Sequence, residues 1–381
     1  MNIINLHVYP SSFKHESRIL KETKSLIDSR LVDKIFIGAI WEKGTQEHEE
    51  IDSGREVWRV PLKTSILPNG TLAKSLKQIE WILRIFFRFR KEHINIVQCH
   101  NISSLLIGML FKIFAKSKVV YDAHELETEK PGMTGIRKKI SKITERLLLR
   151  YVDTVIVVSE SIAEWYKGEY PSKTIYTIKN VPYAKKDKSG KSNIFREKFN
   201  LQDDEILYIY QGVLSAGRGI DILLNIFSEI DKKKHIVFMG YGLFENRIKE
   251  YESDFSNVHF QSAVGFHEVI SYTKSADVGI CLLTNTCLSY FLALPNKLFE
   301  YVTSGLPVIV NDFPEMGSFV DKYECGWKVA INELSSITDL IEGMSKEDIK
   351  KKGENALKCK NRFGWHKEEE VLLEIYRELK D

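Results

Sequence analysis

The sequence predicts an α/β fold built from two doubly wound, Rossmann-like domains. Short β-branched runs alternate with segments long enough for crossover helices along most of the chain. Several runs are continuously apolar, as in Val155–Val158, which is typical of strands buried on both faces of a parallel sheet. The alternation is interrupted by the polar segment 184–192 and then resumes. We therefore expect a ligand cleft between two similar halves, at the carboxyl ends of their strands.

The strands are predicted from apolar, β-branched runs bounded by turn residues. In the first half they are Ile3–Tyr9, Lys34–Ile40, Glu56–Pro61, Asn95–His100, Lys118–His124, Thr154–Ser159 and Thr174–Lys179. In the second half they are Glu205–Gln211, His235–Gly240, Asn257–Phe260, Asp277–Leu283, Pro307–Asn311 and Gly326–Ala330. The predicted domains are 1–183 and 193–364, joined by a linker at 184–192. Residues 365–381 read as an amphipathic helix.

Composition excludes several classes of protein. The 381 residues are 43% hydrophobic and 28% charged, which excludes wholesale disorder. A net charge of +3 argues against a dedicated nucleic-acid binder. Five cysteines without paired spacing predict reduced thiols of a cytosolic protein rather than a disulfide framework or zinc site. The segment Met1–Asn5 does not resemble a signal peptide, and arginines interrupt the most apolar run.

Two glycine-containing segments follow predicted strands in the second half. In Tyr208–Asp221 an apolar strand leads into a loop with three glycines and then a helix, a pattern that lets backbone N–H groups approach an anion. Arg218 in this loop carries a permanently charged, planar group suited to phosphate. The second segment is Gly240-Tyr241-Gly242. An ordinary turn remains the alternative for both segments.

A third segment predicts a helix with an unusual charge at its start. Pro295 and Asn296 favour a helix N-terminus, and Gly305 favours its C-terminal cap. Lys297 would lie in the first turn, where a cation opposes the helix dipole unless an anionic ligand is present. Glu300 shares its face and could accept hydrogen bonds from ribose hydroxyls. The alternative is an intrahelical Lys–Glu pair on a solvated surface.

The segment Val119–Glu125 ends a buried strand with three ionisable groups. Among them, His124 could donate a hydrogen bond to a sugar or phosphate oxygen near neutral pH. Flanking carboxylates favour a functional role, although a lone histidine is more often structural.

In order and type, these segments resemble the retaining nucleotide-sugar glycosyltransferases of the GT-B fold, specifically glycosyltransferase family 4. The resemblance covers nearly the whole chain. The matching segments are the strand end at His124, Lys179–Pro182, Gly212–Gly219, Gly240–Gly242, Ala276–Val278, Ser304–Ile309 and the helix that begins at Trp365. By resemblance, this last helix crosses back onto the N-terminal domain.

The resemblance implies a set of site residues. Catalytic roles fall to His124, Arg218 and Glu300. Donor binding falls to Gly212, Arg218, Gly240, Tyr241, Ser289, Tyr290, Asn296, Lys297 and Glu300, and the acceptor side to His15 and Glu125. It also implies a UDP- or GDP-linked sugar donor, retention of the anomeric configuration and no cofactor. Because the sequence contains no Asp-x-Asp pair, no essential metal is expected.

Three departures from the family pattern affect these expectations. Leu292 stands where the family often has a glutamate that binds a hexose hydroxyl, and Val213 stands where it has an arginine. The glycine-rich loop after the first strand is replaced by Pro10–Ser17. Donor-sugar identity and acceptor recognition are therefore left open.

Two basic, apolar segments bear on the acceptor side. Trp81–Arg90 and Ile136–Arg150 mix cations with apolar residues at helical spacing, a pattern that fits an anionic membrane surface. Packing of the apolar faces onto the sheet is the alternative. We expect a glycan or polyprenyl-linked glycan acceptor, a role in cell-surface polysaccharide assembly, and a cytoplasmic or inner-membrane peripheral location.

Rival functions remain at this stage. A nucleotide-sugar 2-epimerase can share the two-domain fold, and a non-catalytic sugar-nucleotide-binding subunit would bind donor without turnover. A dinucleotide-dependent dehydrogenase is disfavoured, because no Gly-x-Gly-x-x-Gly follows the first strand.

Overall fold

The computed structural model describes residues 2–14, 16–68, 70–183, 192–265, 268–331 and 333–380. The chain divides into two compact units. Unit 1 contains Met1–Lys179 and Glu368–Asp381, and unit 2 contains Asn180–Lys367. The sequence-based boundaries lie at 183 and 365, and most of the predicted linker, residues 184–191, falls outside the described residues.

Unit 1 is built on an eight-stranded sheet. Its strands are β1 (Ile4–Val8), β2 (Lys34–Ile40), β3 (His48–Asp52), β4 (Arg55–Val60), β5 (Ile96–Cys99), β6 (Lys118–Ala123), β7 (Thr154–Val157) and β8 (Thr174–Thr177). The strand order is β3-β4-β2-β1-β5-β6-β7-β8. All neighbours are parallel except β3 and β4, so the predicted α/β class is confirmed.

Crossover helices connect the parallel strands of unit 1. They are α1 (Ser17–Asp28), α2 (Thr71–Phe89), α3 (Leu105–Ala115), α4 (Gly135–Leu148) and α5 (Glu160–Glu169). Ser159 begins α5 by accepting a hydrogen bond from the Ile162 N–H.

Unit 2 contains a six-stranded, wholly parallel sheet. Its strands are β9 (Ile206–Val213), β10 (Lys234–Tyr241), β11 (Val258–Ser262), β12 (Val278–Cys281), β13 (Val308–Asn311) and β14 (Gly326–Val329), in the order β11-β10-β9-β12-β13-β14. Its helices are α6 (Ile194–Phe199), α7 (Ile220–Glu229), α8 (Glu245–Asp254), α9 (Val269–Thr273), α10 (Leu288–Phe291), α11 (Asn296–Thr303), α12 (Pro314–Tyr323), α13 (Leu334–Gly343) and α14 (Lys346–Cys359). Apolar clusters cover both faces of this sheet, which explains its continuously apolar strands.

The final helix, α15 (Trp365–Lys380), packs most of its length within unit 1. Its Tyr376 is fully buried, and the hydroxyl accepts a 2.6 Å hydrogen bond from Asn5 and donates one of 2.6 Å to Gln98. The apolar stripe predicted from the sequence therefore faces the strands of the first half.

Strand β3 was not predicted from the sequence. Its residues, His48–Asp52, are almost all polar and exposed, so they carry no alternation of apolar and polar side chains. The strand forms because it pairs antiparallel with β4 at the edge of the sheet, where Arg59 forms a 2.7 Å ion pair with Glu49.

In each unit the strand order reverses beside the first strand of the sheet. The reversal lies between β1 and β5 in unit 1 and between β9 and β12 in unit 2. Ligands of doubly wound sheets bind outside the carboxyl ends of the strands at this reversal point. The residues considered next lie at or near those strand ends.

Candidate active site

The glycine-containing loop after β9 has the backbone geometry that only glycine adopts readily. Gly212, Gly217 and Gly219 have φ angles of +118°, +80° and +71°. The Thr284 N–H, which follows β12, donates a 2.9 Å hydrogen bond to the Gly217 carbonyl. The loop after β9 is therefore attached to the segment after β12, across the reversal point of the sheet.

Two cations near this loop have buried nitrogen atoms without hydrogen-bond partners among the described residues. They are Nζ of Lys297, whose side chain is only 8% exposed, and Nε of Arg218. Burial raises the pKa of Cys281 to about 11, while the charges of Lys297 and Arg218 lower it, so both cations lie near the end of β12. Since a buried cationic nitrogen without a hydrogen-bond acceptor is costly, this pair of atoms fits an anionic ligand.

Lys297 is held beside both the glycine loop and an aromatic ring. Its Nζ lies 3.6 Å from the centroid of Tyr210, a cation–π contact, and 3.7 Å from the position that a Cβ on Gly212 would occupy. Helix α11 begins at Asn296 after Pro295, and Gly305 has a φ of +84°, as the sequence predicts for the two ends of this helix. The surface Lys–Glu pair considered as an alternative is wrong, because Lys297 is buried.

Glu300 is oriented by a glutamine that the sequence analysis did not single out. Gln211, at the end of β9, donates a 2.5 Å hydrogen bond from Nε2 to Glu300 Oε2. The Thr273 hydroxyl lies 2.8 Å from Gln211 Oε1 and 2.7 Å from the Val269 carbonyl oxygen, and it can donate its one proton to either. The glutamate therefore has a defined position near the buried cations.

The segment Gly240-Tyr241-Gly242 is explained by packing between strands. A Cβ on Gly240 would lie 1.8 Å from the Gly212 carbonyl oxygen, and one on Gly242 would lie 2.4 Å from the Leu214 carbonyl oxygen. Tyr241 ends β10 and is 47% exposed. The alternative of a structural turn is sufficient for both glycines, and donor binding by Gly240 and Tyr241 stays a prediction.

The remaining predicted donor residues lie on or before α10 and α11. Tyr290 packs on the glycine loop, because its Cε2 would lie 3.0 Å from a Cβ on Gly217. Ser289 is buried within α10, and Asn296 is exposed at the first position of α11. Leu292 follows α10 and is partly buried. Contact of these side chains with a sugar stays a prediction.

In unit 1, His124 belongs to a network centred on the buried carboxylate of Asp122. Asp122 Oδ2 lies 3.1 Å from His124 Nε2 and 3.0 Å from His100 Nδ1. Arg18 donates to both carboxylate oxygens, at 3.0 and 2.8 Å. Burial alone would raise the pKa of Asp122, but Arg18 and the two imidazoles hold this pKa well below its usual value. Asp122 is therefore a carboxylate that only accepts hydrogen bonds.

Hydrogen-bond counting then fixes the tautomer of His100. Its Nδ1 carries a proton, because it faces the carboxylate, and this nitrogen also lies 3.0 Å from His124 Nε2. His100 Nε2 accepts from His7 Nδ1 at 3.0 Å, and His7 Nε2 accepts from the Asn5 amide at 3.0 Å. Burial lowers the pKa of His100 to about 4 and that of His7 well below its usual value, so both are neutral. His124, whose side chain is 24% exposed, directs Nε2 to this network, and its Nδ1 has no hydrogen-bond partner among the described residues.

Among the described residues, three groups of His and carboxylate atoms are close enough to share a cation. They are His7 with Glu22 and His100, His100 with Asp122 and His124, and His48 with Glu50 and Glu56. In the first two groups the Arg18 guanidinium already pairs with Glu22 and Asp122, at 2.9 and 2.8 Å. A positive charge therefore occupies the place where a metal ion would be stabilised, and those residues do not fit one. The third group lies on β3 and β4, at the edge of the sheet.

The predicted acceptor residues are less constrained. Glu125 is half-exposed and lies 3.2 Å from Lys130 Nζ. His15 lies outside the described residues, whereas its neighbour Glu16 accepts a hydrogen bond from the Ser11 hydroxyl. Their acceptor roles stay predictions.

Sequence reasoning missed Gln211 as the partner of Glu300, and Arg18, His7 and His100 as partners around Asp122. The available signal was the same in most cases, namely a polar side chain within or directly after an apolar strand. Arg18 carried no such signal, since it lies on α1, more than 100 residues before Asp122.

An apolar surface on unit 1 is exposed along two helices. On α2 the exposed residues are Leu72, Leu76, Ile79, Leu83 and Phe87, and on α4 they are Ile136, Ile140, Ile143 and Leu147. We call these two rows the apolar stripes. The alternative interpretation, in which the apolar face packs onto the sheet, is wrong for the α4 stripe, because its four side chains are exposed.

A buried glutamate explains the orientation of α4. Glu145 accepts hydrogen bonds from the hydroxyls of Tyr121, Tyr166 and Tyr170 at 3.2, 2.7 and 3.0 Å. Burial raises the pKa of Glu145. On α4, therefore, the polar Glu145 is buried and acts as an anchor, whereas the four apolar side chains of the stripe are exposed.

Helix lengths and hydropathies give no membrane-spanning candidate among the described residues. The five cysteines are free thiols.

Comparisons with known proteins agree with this architecture. A model described as Glycosyltransferase Family 4 matches residues 41–181, and one described as Glycosyl transferases group 1 matches residues 205–346. A chitobiosyldiphosphodolichol beta-mannosyltransferase from Debaryomyces hansenii is 23% identical over 318 residues, which are 74% of this chain and 66% of that relative.

Solved structures show the same fold at low identity. Sucrose-phosphate synthase from Thermosynechococcus elongatus superposes with a TM-score of 0.79 at 15% identity, covering 99% of both chains. HepE from Anabaena, in complex with UDP-glucose, superposes with a TM-score of 0.73 at 14% identity, covering 99% of this chain and 100% of that one. The chain therefore has the GT-B fold, and it matches the Glycosyltransferase Family 4 model in its first half and the Glycosyl transferases group 1 model in its second.

Proposed function

We propose that this glycosyltransferase moves a sugar from a UDP- or GDP-linked donor to a hydroxyl of a glycan or lipid-linked acceptor, with retention of the anomeric configuration. The observation that carries the proposal is the pair of buried, unpartnered cationic nitrogens, Lys297 Nζ and Arg218 Nε, beside a glycine loop. A diphosphate supplies the negative charge and acceptor oxygens that these nitrogens lack. The structural neighbour HepE, solved with UDP-glucose, supports a nucleoside diphosphate as the ligand.

In this proposal unit 2 binds the donor. Arg218 and Lys297 contact the diphosphate, and Glu300, oriented by Gln211, accepts hydrogen bonds from the two ribose hydroxyls. As the bond between the anomeric carbon and the phosphate oxygen breaks, negative charge grows on the diphosphate. The two cations stabilise that charge without rearranging, which is often the largest contribution to catalysis. No metal is needed for this neutralisation.

Unit 1 contributes His124. Its Nδ1 forms a hydrogen bond with a sugar hydroxyl in this proposal, while Asp122 holds the ring from the other side. The acceptor oxygen then bonds to the anomeric carbon on the face that the phosphate leaves, and the departing phosphate oxygen takes the acceptor proton. His124 orients the sugar and is not the group that removes this proton.

The acceptor proposal rests on the surface of unit 1 and on the relative that acts on a dolichol-linked saccharide. The apolar stripes lie among basic residues such as Lys139 and Arg90. An exposed apolar face of this kind fits the boundary of an anionic bilayer. We therefore propose that the protein acts at a membrane surface, on an acceptor anchored there, in the assembly of a surface glycan.

Binding calorimetry with UDP, GDP, ADP and CMP tests the donor proposal. We expect one of the first two to bind, and Arg218→Ala and Lys297→Met to weaken it by about tenfold or more each. Arg247→Ala is the matched control, because Arg247 pairs with Asp221 on the surface of the same unit. If no nucleoside diphosphate binds, or if all three variants behave alike, the donor site is wrong.

Product analysis tests the chemistry. NMR of the glycosidic bond formed from the donor identified above should show the donor's anomeric configuration, and EDTA should leave the rate unchanged. A product with the opposite anomeric configuration would contradict the retaining mechanism. Loss of activity in EDTA would contradict the proposal that the two cations neutralise the diphosphate without a metal. Transfer to an acceptor, rather than conversion of the donor sugar alone, excludes the epimerase reaction.

A further inference from the structure

A groove of about 380 Å³ opens on unit 1 between the first turns of α2, the start of α3 and the start of α4. Its walls carry the side chains of Lys74, Gln78 and Arg137, and its apolar part is formed by Ile79, Ile82 and Leu106. Its lining residues are not part of the network around Asp122 and His124.

The polar side of this groove carries two positively charged side chains, those of Lys74 and Arg137. Neither Lys74 nor Arg137 forms an ion pair within the part of the chain that the structure describes, and no carboxylate lines the groove. The amide nitrogen of Gln78 is buried and has no hydrogen-bond partner among the described residues. These three groups offer only hydrogen-bond donors, so they complement a phosphate, which has only acceptor oxygens at neutral pH.

The apolar side connects the groove to the exposed surface. Ile79 belongs to the stripe of α2 and is 52% exposed, and Ile136, beside Arg137, begins the stripe of α4 and is 76% exposed. A ligand with a phosphate head and a hydrocarbon body would contact cations at one end and apolar side chains at the other. A free phosphate would leave the apolar side unused.

We propose that this groove binds the headgroup phosphate of an anionic phospholipid in the bilayer, with the lipid chain lying along the apolar stripes. The proposal rests on the membrane-surface part of the proposed function and adds a discrete binding site to it. Basic residues attract an anionic membrane wherever they lie near it, whereas a site requires these particular side chains.

Vesicle co-sedimentation distinguishes a discrete lipid-binding site from diffuse attraction of basic residues to the membrane. The probe is vesicles of phosphatidylcholine with phosphatidylglycerol, compared with phosphatidylcholine alone. Lys74→Ala with Arg137→Ala removes the groove cations. Lys139→Ala with Arg90→Ala is the matched control, because it removes one lysine from α4 and one arginine directly after α2, both outside the groove. Both control residues are exposed, and Arg90 lies 5.1 Å from the ring centroid of Phe87, at the far end of the α2 stripe.

We expect the groove variant to lose at least about tenfold more affinity for the anionic vesicles than the control variant. A second variant, Gln78→Glu, keeps the size of the side chain and places a carboxylate in the groove, and it should weaken binding in the same direction. Circular dichroism at each step verifies that the variants fold.

Equal losses in the two double variants would overturn the site and leave only diffuse attraction. A groove variant that binds vesicles normally but has a raised KM for a polyprenyl-linked acceptor would also overturn it, by assigning the groove to the acceptor. Calorimetry with UDP and GDP is run on the same variants. Because unit 2 is unaltered, nucleotide binding should persist, so failure of the lipid site is distinguishable from failure of the donor proposal.

Discussion

Gln211 and Glu300, which are far apart in sequence, are joined by a 2.5 Å hydrogen bond from the amide nitrogen to the carboxylate. The buried side chain of Gln211 thereby holds one oxygen of Glu300 in place. Gln211→Met should raise the KM for the donor by about tenfold, since a hydrogen bond to a charged group contributes about 1.5–3 kcal/mol. Initial rates against donor concentration measure this change.

Thr273→Val provides the graded control for that experiment. It removes the hydroxyl that contacts both Gln211 Oε1 and the Val269 carbonyl but leaves Gln211 itself, so its effect on KM should be smaller and in the same direction. A wild-type KM in Gln211→Met would mean that Glu300 does not bind the donor or does not need this orientation.

Gly240→Ala should destabilise unit 2 by about 2–3 kcal/mol. The new Cβ would collide with the Gly212 backbone, which cannot move as a side chain can. Chemical denaturation monitored by fluorescence measures the free energy of unfolding. Gly343→Ala is the control, because a Cβ there meets no heavy atom within 4 Å, and it should be nearly neutral. Normal stability in Gly240→Ala would contradict the packing explanation.

The buried histidines of unit 1 should make stability depend on pH. In the unfolded chain His100 takes up a proton near pH 6.5, whereas in the folded protein it does so near pH 4. Between these values the unfolded state binds more protons, so the free energy of unfolding falls as the pH is lowered. The change is up to about 1.4 kcal/mol per pH unit for each such histidine.

Thermal unfolding from pH 7 to pH 4.5 measures this dependence. His100→Asn should flatten the slope even if it lowers stability at pH 7, whereas His93→Asn, at an exposed histidine of the same unit, should leave the slope unchanged. An unaltered slope in His100→Asn would show that His100 is already protonated in the folded protein or that other groups dominate.

The α4 stripe should be dispensable for folding and required at membranes. Ile140→Ser with Ile143→Ser should change the free energy of unfolding by less than about 1 kcal/mol, because both side chains are exposed. Binding to anionic vesicles should weaken. Leu148→Ser, at a buried position of the same helix, should destabilise the fold instead. If the double variant binds vesicles as well as the wild type does, the α4 stripe does not contribute to membrane binding.

The sequence predicted the strands well because burial on both faces of a parallel sheet leaves continuous apolar runs. It also located Lys297 in the first turn of its helix, since Pro295 and Gly305 mark the two ends. It could not predict β3, whose polar residues are ordered by their neighbour β4. Nor could it pair Arg18 with Asp122 or Gln211 with Glu300, because contacts between distant residues depend on how strands are ordered in the sheet. The outward face of α4 was undecided for a related reason, since the anchor at Glu145 requires three tyrosines from other elements.

That anchor has a practical consequence for protein engineering. Helix α4 keeps its place through a carboxylate and three phenols, so the outer side chains contribute little to holding it. The exposed apolar residues of the α4 stripe can be replaced by glutamate or lysine to reduce aggregation at high protein concentration. The resulting polar version would be the preferred sample for crystallisation and for long NMR acquisitions.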